Sequence, residues 1–171
     1  LEYAAYDYPE IDITRPDSVR ELMEAVKPRM VVNCAAYTQV DKAEADEETA
    51  YRVNALGPKN IAQACADADA ELVHISTDYV FSGEPPMRDG KPRPYVETDP
   101  CGPVTAYGRT KLAGERFAQQ HCGRLYILRT AWLYGDGHNF VRTMLRLAEA
   151  RDEISVVSDQ IGSPTSTVDL A

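Results

Sequence analysis

Short runs of β-branched residues alternate along this chain with longer stretches whose apolar residues recur at helical spacing. That alternation is typical of βαβ units, and it predicts an α/β fold with a parallel sheet. The predicted strands are 10–13, 30–36, 72–76, 125–130 and 154–157; the predicted helices are 14–28, 47–68, 106–121 and 140–150. Gly57-Pro58 is expected to bend the second of these helices. The strands at 30–36, 72–76 and 125–130 are apolar enough to be buried.

The two ends of the chain do not match a complete sheet of this kind. A doubly wound nucleotide-binding sheet normally opens with a strand and a glycine-rich turn, and no Gly-x-Gly-x-x-Gly occurs here. The chain opens in a strand-like run and stops at 167–171, which resembles the first turn of a helix. We therefore expect residues 1–171 to be a partial, Rossmann-like doubly wound domain, with a substrate-binding region starting near 132.

Charge and composition narrow the classes of partner. The 18 basic and 27 acidic residues give a net charge of −9, which argues against nucleic acid. No apolar run approaches the roughly 20 residues of a membrane span, and no basic, apolar leader opens the chain. The four cysteines contain no Cys-x-x-Cys pair, so neither a zinc module nor a disulfide scaffold is predicted. Scattered thiols of this kind favour a cytoplasmic protein.

Tyr107 and Lys111 are four residues apart on a predicted helix, so both side chains project from one face. A nearby ammonium group favours a phenolate, and we expect Lys111 to lower the pKa of Tyr107 toward neutrality. That would make the pair an acid/base device. The alternative is an exposed helix pair without chemistry.

Thr77 and Asp78 follow the strand that ends in Ile75-Ser76. Ligands of open α/β sheets bind outside the carboxyl ends of strands, so the Thr77 hydroxyl could hydrogen-bond a bound carbonyl while Tyr107 supplies a proton. That division of labour suits reduction of a ketone by a hydride carrier. The alternative is a turn held by side-chain to backbone hydrogen bonds.

Three other segments stand at predicted strand ends. Small residues through Ala36 would let a flat cofactor approach the backbone, or would only pack tightly against a helix. Asp12 and Ile13 could meet an adenine or form a helix-leading turn. Trp132 could stack on a sugar or base, or fill the core. Between Ser82 and Pro103, six prolines and three glycines predict a long surface loop.

Taken together, these motifs resemble the extended short-chain dehydrogenase/reductase family, over nearly the whole chain. The residues that carry the resemblance are Asp12-Ile13-Thr14, 33–44, Val53-Asn54, 76–81, 107–115, 129–132, Asp159-Gln160 and Pro164-Thr165. Tyr-x-x-x-Lys is common to the family, whereas Ser-Thr-Asp-Tyr-Val-Phe is much narrower. The loop at 82–103 is longer than the resemblance leads us to expect, which would affect access of substrate.

The resemblance implies a role for each matching residue. Thr77, Tyr107 and Lys111 would be catalytic; Asp12, Ile13, Ala36, Tyr37, Thr38, Ile75, Tyr107 and Lys111 would bind the cofactor; Thr77, Asp78 and Trp132 would bind substrate, with Thr38, Val40 and Tyr79 as further contacts. Asn54 would support Lys111 through a water molecule. No metal ligand is implied among these positions.

The implied activity is reduction of the C4 ketone of dTDP-4-dehydro-L-rhamnose to dTDP-L-rhamnose with NADH or NADPH, for polysaccharide synthesis. The expected partner is a nucleotide sugar, without nucleic acid polymer or membrane. In the intact protein, a region after Ala171 would hold magnesium or make homodimer contacts, and residues 1–171 alone are expected to be inactive. Two other functions stay open: a non-catalytic subunit resembling the methionine adenosyltransferase β subunit, and an NAD-dependent sugar-nucleotide epimerase.

Overall fold

The computed structural model describes residues 2–171, which form two compact units, one ending at Arg129 and the other spanning Thr130–Ala171. The helices are α1 (Pro16–Val26), α2 (Val40–Ala45), α3 (Glu47–Tyr51), α4 (Gly57–Asp67), α5 (Ala106–His121), α6 (Phe140–Ala150) and α7 (Thr167–Leu170). The strands are β1 (Met30–Asn33), β2 (Glu71–Thr77), β3 (Met87–Arg88), β4 (Lys91–Pro92), β5 (Leu125–Thr130), β6 (Leu133–Tyr134) and β7 (Thr165–Ser166).

The main sheet has the strand order β1-β2-β5. β1 and β2 are parallel, with Val32 opposite Val73 and Asn33 opposite His74. Parallel strands need a crossover connection, and α2, α3 and α4 lie in the chain between these two strands. The carboxyl ends of β1 and β2 therefore meet at one edge of the sheet.

One face of this sheet carries the core of the first unit. Leu72 of β2 is fully buried in a cluster with apolar residues of α1, α4 and α5; that cluster contains Val19, Ile61, Ala62, Cys65, Ala70, Leu72, Ala118 and Cys122. The prediction that the flanking strands are buried was wrong for alternate residues. Met30 and Val32 of β1 and Tyr126 and Leu128 of β5 are exposed, because successive side chains of a strand point to opposite faces.

The long helix predicted at 47–68 is divided into three pieces. A π-helical turn at Arg52–Leu56 separates α3 from α4. Pro58 lies in the first turn of α4 and has no N–H to continue the preceding hydrogen bonds, and the π-helical turn stands directly before it; a bend at Gly57-Pro58 stays a prediction. A Cβ added at Gly57 would lie 2.5 Å from Ile13 Cδ1, so a larger residue there would displace the end of the Ile13 side chain.

The first predicted strand is wrong. Residues 10 and 13 lie in turns, residues 11 and 12 have no regular structure, and none of the four pairs with a strand among the described residues. The helix that follows begins at Pro16 rather than Thr14, because proline fixes the first helical φ, and Thr14 instead hydrogen-bonds to Asp12. Lys27 adopts a left-handed conformation, and its N–H donates to the Met23 carbonyl, which ends α1.

The loop at 82–103 is ordered by its own side chains. It contains the β3-β4 hairpin, and the Tyr95 ring stacks on Phe81 with centroids 4.2 Å apart. Arg93 forms a two-point ion pair with Asp99 at 2.6 and 2.7 Å.

The second unit contains a small parallel β6-β7 pair together with α6 and α7. The predicted bounds of α6 are confirmed, and none of its residues is buried, so its apolar stripe is not covered by a core among residues 2–171. The strand predicted at 154–157 was also wrong, because that stretch has no regular structure. Among residues 2–171, no helix combines the length and the apolar character that crossing a membrane requires.

Candidate active site

The carboxyl end of β2 turns sharply at Thr77. Its hydroxyl accepts a hydrogen bond from the Tyr79 amide at 3.2 Å and donates to Asp78 Oδ1 at 3.1 Å, so it caps the short 3₁₀ turn Asp78–Val80. Thr77 and Val80 are buried. The turn held by side-chain to backbone hydrogen bonds, predicted as the alternative to a functional role, is therefore present. It holds the Thr77 hydroxyl in a fixed place.

The N-terminus of α5 is fixed against this turn. The Thr105 hydroxyl caps the helix by accepting from the Gly108 amide, and Glu44 Oε1 accepts from the Ala106 amide at 2.7 Å. A Cβ on Gly108 would lie 2.2 Å from the Tyr79 carbonyl oxygen, so only glycine allows α5 to approach this closely.

This approach brings Tyr107 to Thr77. The Tyr107 ring meets the Tyr79 ring edge-on with centroids 5.6 Å apart, and the Thr77 hydroxyl is near enough to favour the phenolate. Burial raises the pKa of Tyr107 above its ordinary value, opposed by Thr77 and reinforced by Asp78 and Tyr79. The expected fall of the Tyr107 pKa toward neutrality was therefore wrong, because burial outweighs the effects that favour phenolate. The phenol stays protonated near neutral pH, which is the form that can donate a proton.

Lys111 reaches the same strand from one helical turn further along α5. Its side chain is buried, with 2% exposure, and Nζ donates to the Ile75 carbonyl at 2.8 Å. Burial lowers the pKa of Lys111 to about 8, opposed by Glu115 and Cys34. The helix spacing thus places Tyr107 and Lys111 at one end of β2, as predicted.

Asp78 is the third polar side chain at this turn. Burial raises its pKa above the usual range, while hydrogen bonds from the Thr77 hydroxyl and from backbone amides act against that rise. A partly desolvated carboxyl group at a strand end can accept hydrogen bonds from a sugar hydroxyl.

The residues predicted to line a dinucleotide follow β1. The Tyr37 backbone is held by Asn54, whose Oδ1 accepts from the Tyr37 amide at 2.8 Å and whose Nδ2 donates to the Tyr37 carbonyl. Ala36 is half-buried and Thr38 is exposed. Asn54 also donates to Thr110, so its hydrogen bonds stabilise the chain after β1, and its role toward Lys111 stays a prediction.

Asp12 and Ile13 lie in the segment that leads into α1, which was the alternative to contact with an adenine. Asp12 Oδ1 accepts from the Thr14 amide and from the Thr14 hydroxyl, which lowers the pKa of Asp12. Ile13 packs against the core cluster. Contact of either residue with an adenine stays a prediction.

Trp132 belongs to the second unit. It has a positive φ of 47° and a half-exposed ring, which packs on Gly162, where an added Cβ would lie 3.0 Å from the indole. Its contact with substrate stays a prediction.

The sequence did not predict a cluster of buried polar side chains around Glu115 at this site. Ser76 lies next to Thr77, and Glu115 is one helical turn after Lys111 on α5. Both are buried and hydrogen-bonded to each other, and Arg129 is ion-paired with Glu115. The spacing of 107, 111 and 115 is the signal that could have found Glu115, since all three positions share one helix face. Among residues 2–171 no cluster of three His, Cys, Asp or Glu side chains is arranged to hold a metal ion.

Comparison with known proteins identifies the family. The family model described as RmlD substrate binding domain matches residues 1–171. The dTDP-4-dehydrorhamnose reductase of Mycolicibacterium smegmatis is 52% identical over 163 residues, which cover 94% of this chain and 48% of that protein. The chain spans about half the length of the curated relatives it matches.

Solved structures agree in fold. A dTDP-4-dehydrorhamnose reductase from Clostridium acetobutylicum matches with a TM-score of 0.91 and 50% identity, over 96% of this chain and 57% of that one. The Bacillus anthracis dTDP-4-dehydrorhamnose reductase in complex with NADP gives 0.90 and 44%, with the same coverage. These matches confirm the α/β, Rossmann-like class. Since the family model spans the whole chain and the relatives agree with it, the protein belongs to the RmlD substrate binding domain family.

Proposed function

We propose that the protein containing this chain reduces the C4 ketone of dTDP-4-dehydro-L-rhamnose to dTDP-L-rhamnose with NADPH or NADH. The observation that carries the proposal is the meeting of Thr77, a protonated Tyr107 and Lys111 at the carboxyl end of β2. The names of the relatives support the choice of substrate, and the NADP complex of the Bacillus anthracis protein supports the choice of cofactor.

The residues of this chain would divide the reaction between them. The Tyr107 phenol gives its proton to the ketone oxygen as negative charge develops there. When substrate binds, Thr77 turns its one hydroxyl proton from Asp78 to the same oxygen and orients the carbonyl group, and Asp78 then accepts from a sugar hydroxyl. Proton transfer leaves a phenolate on Tyr107, which the nearby Lys111 cation stabilises until solvent returns the proton.

The chain after β1 fits a flat dinucleotide. Cys34 and Ala35 are small and exposed, and they follow a strand whose carboxyl end lies beside that of β2. An ammonium group has three donors, one of which Lys111 directs to the Ile75 carbonyl, so others can meet ribose hydroxyls. When bound, the nicotinamide cofactor supplies the hydride that reduces the ketone carbon.

The test uses protein made from the complete reading frame that encodes this chain. Wild type should oxidise NADPH or NADH when given dTDP-4-dehydro-L-rhamnose. Tyr107→Phe should lower kcat about 10²- to 10⁴-fold, because it removes the proton donor. Tyr126→Phe, an exposed tyrosine of β5, is the matched control and should keep full activity.

Two other outcomes would contradict the proposal. Interconversion of sugar isomers without net cofactor consumption would identify an epimerase. Stoichiometric recovery of a partner enzyme, with no turnover of the keto sugar, would identify a regulatory subunit. A cytoplasmic location, a homodimer and magnesium binding in the intact protein stay predictions, and size-exclusion chromatography with and without magnesium would check the last two.

A further inference from the structure

Glu115 is a buried carboxylate on the helix face that carries Tyr107 and Lys111. Its side chain is 1% exposed, and Arg129 meets it with two N–H groups, at 2.9 and 2.7 Å. The Ser76 hydroxyl donates to Glu115 Oε1 at 2.6 Å. Each carboxylate oxygen therefore has a charged or hydroxyl donor, which is what a buried charge requires.

These bonds connect α5 to the end of β2 beside the reacting groups. Ser76 precedes Thr77, and the carbonyl of Ile75, one residue earlier, accepts from Lys111. Glu115 and Lys111 thus hold consecutive residues of one strand from consecutive turns of one helix. A shift of either contact would move Lys111 relative to Thr77.

Arg129 also connects this cluster to the loop at 82–103. Its guanidinium lies 5.0 Å from the centre of the Phe81 ring, and it donates to the Glu97 carbonyl and to Cys101 Sγ. Phe81 in turn stacks on Tyr95. One arginine therefore contacts both the carboxylate beneath the site and the loop that follows the Thr77 turn.

We propose that Glu115 is a positioning residue, which fixes Lys111 and Thr77 through Ser76 and, through Arg129, couples the loop at 82–103 to the end of β2. The kinetic part of this inference rests on the proposed reductase function. The structural part, the coupling of the loop, does not depend on catalysis.

A second ion pair on α5 offers a matched control for substitution of Glu115. Glu47 of α3 meets Arg109 of α5 with the same two-point geometry, at 2.9 and 3.1 Å, but both side chains are nearly half exposed and neither contacts β2 through this pair. Glu115→Gln and Glu47→Gln therefore make the same chemical change in two environments. In the complete protein, Glu115→Gln should lower kcat roughly tenfold or more, because small displacements of reacting groups are costly. Glu47→Gln should leave kcat unchanged.

The pH dependence separates positioning from simple loss of folded protein. Glu115, Cys34 and His74 are the titratable side chains that bear on Lys111, and Glu115 favours its protonated form. In Glu115→Gln the alkaline limb of the kcat profile should move to lower pH. A smaller folded fraction would scale the whole profile without moving it, and an unmoved profile would overturn the kinetic part.

Ser76→Ala and Arg129→Lys test the two contacts of Glu115 separately, without removing its carboxylate. Ser76→Ala should lower kcat while hydrogen–deuterium exchange at 82–103 keeps its wild-type rate. Arg129→Lys keeps the charge but loses the two-point geometry, so exchange at 82–103 should become faster. Unchanged exchange in Arg129→Lys would overturn the coupling of the loop. Absence of turnover by wild type would instead reject the proposed function, and the exchange result would still decide the structural part.

Discussion

The two units of this chain use similar sequence patterns with opposite results. In the first unit, amphipathic helices and alternating strands bury a continuous cluster around Leu72. In the second, α6 has an equally clear apolar stripe, yet none of its residues is buried, and Phe140 and Leu145 are exposed. Every buried apolar side chain of residues 2–171 belongs to the first unit. An apolar periodicity thus specifies which face of a helix favours burial, and it does not supply the surface that covers that face.

The difference extends to polar groups. The first unit buries a carboxylate, an ammonium group and an imidazole, in Glu115, Lys111 and His74. The second unit keeps its ion pair, Arg142 with Asp136, in solvent. Buried polar groups need fixed partners, so the unit that can hold them rigidly is the one in which we propose the chemistry.

The largest expected effect compares one leucine from each unit. Leu72→Ala should lower the free energy of unfolding by about 2–5 kcal/mol, because it leaves a cavity in a closed core. Leu145→Ala, at a position with 63% exposure, should cost less than about 0.5 kcal/mol apart from helix propensity. Urea unfolding of the complete protein measures both. Equal losses would break the comparison, since they would mean that the α6 stripe is also buried in the folded protein.

A smaller loss of stability is expected from adding one methyl group at glycines that other atoms approach closely. A Cβ at Gly114 would lie 2.1 Å from the Asn54 carbonyl oxygen, which is backbone and cannot move alone. A Cβ at Gly135 would meet the Thr167 hydroxyl, which can rotate away. Gly114→Ala should therefore destabilise by about 1–3 kcal/mol, and Gly135→Ala by less. Thermal denaturation of both variants checks this order, and Gly123→Ala, with nothing within 4 Å, is the control.

The smallest effect at each half-unit step of the measurement is a pH dependence that belongs to the first unit. His74 is buried against Asn33, and burial, with a further contribution from Lys111, lowers its pKa to about 3. An unfolded chain protonates this imidazole below its ordinary pKa of 6.5, whereas the folded protein does not do so until about pH 3. The stabilising contribution is thus complete above pH 6.5 and is lost as pH falls through that window, by at most about 1.4 kcal/mol per pH unit.

His74→Gln should flatten this slope, as measured by urea unfolding between pH 4 and pH 7 at about half-unit steps. His138→Gln removes an exposed histidine of the second unit and should leave the slope unchanged. If both variants keep the wild-type slope, His74 is not the group responsible.

Local pattern predicted the helices best where a cap or a spacing was explicit. The bounds of α5 and α6 are confirmed, since Thr105 and Asn139 cap them and their apolar residues keep helical spacing. The same spacing placed Tyr107 and Lys111 on one side of α5. The strand at 10–13 was wrong because a strand exists only through hydrogen bonds to a neighbour, which no local sequence provides.

The sequence by itself determined the alternation of strands and helices, the turn at Thr77, and the residue types that can move a proton at the end of β2. Only the tertiary structure decided their electrostatics and their supports. Burial raises the pKa of Tyr107 and lowers that of Lys111, and folding brings Glu115 to Ser76 and Arg129. The physical reason is that helical spacing is a property of neighbouring residues, whereas desolvation and long-range hydrogen bonds depend on what the fold packs against them.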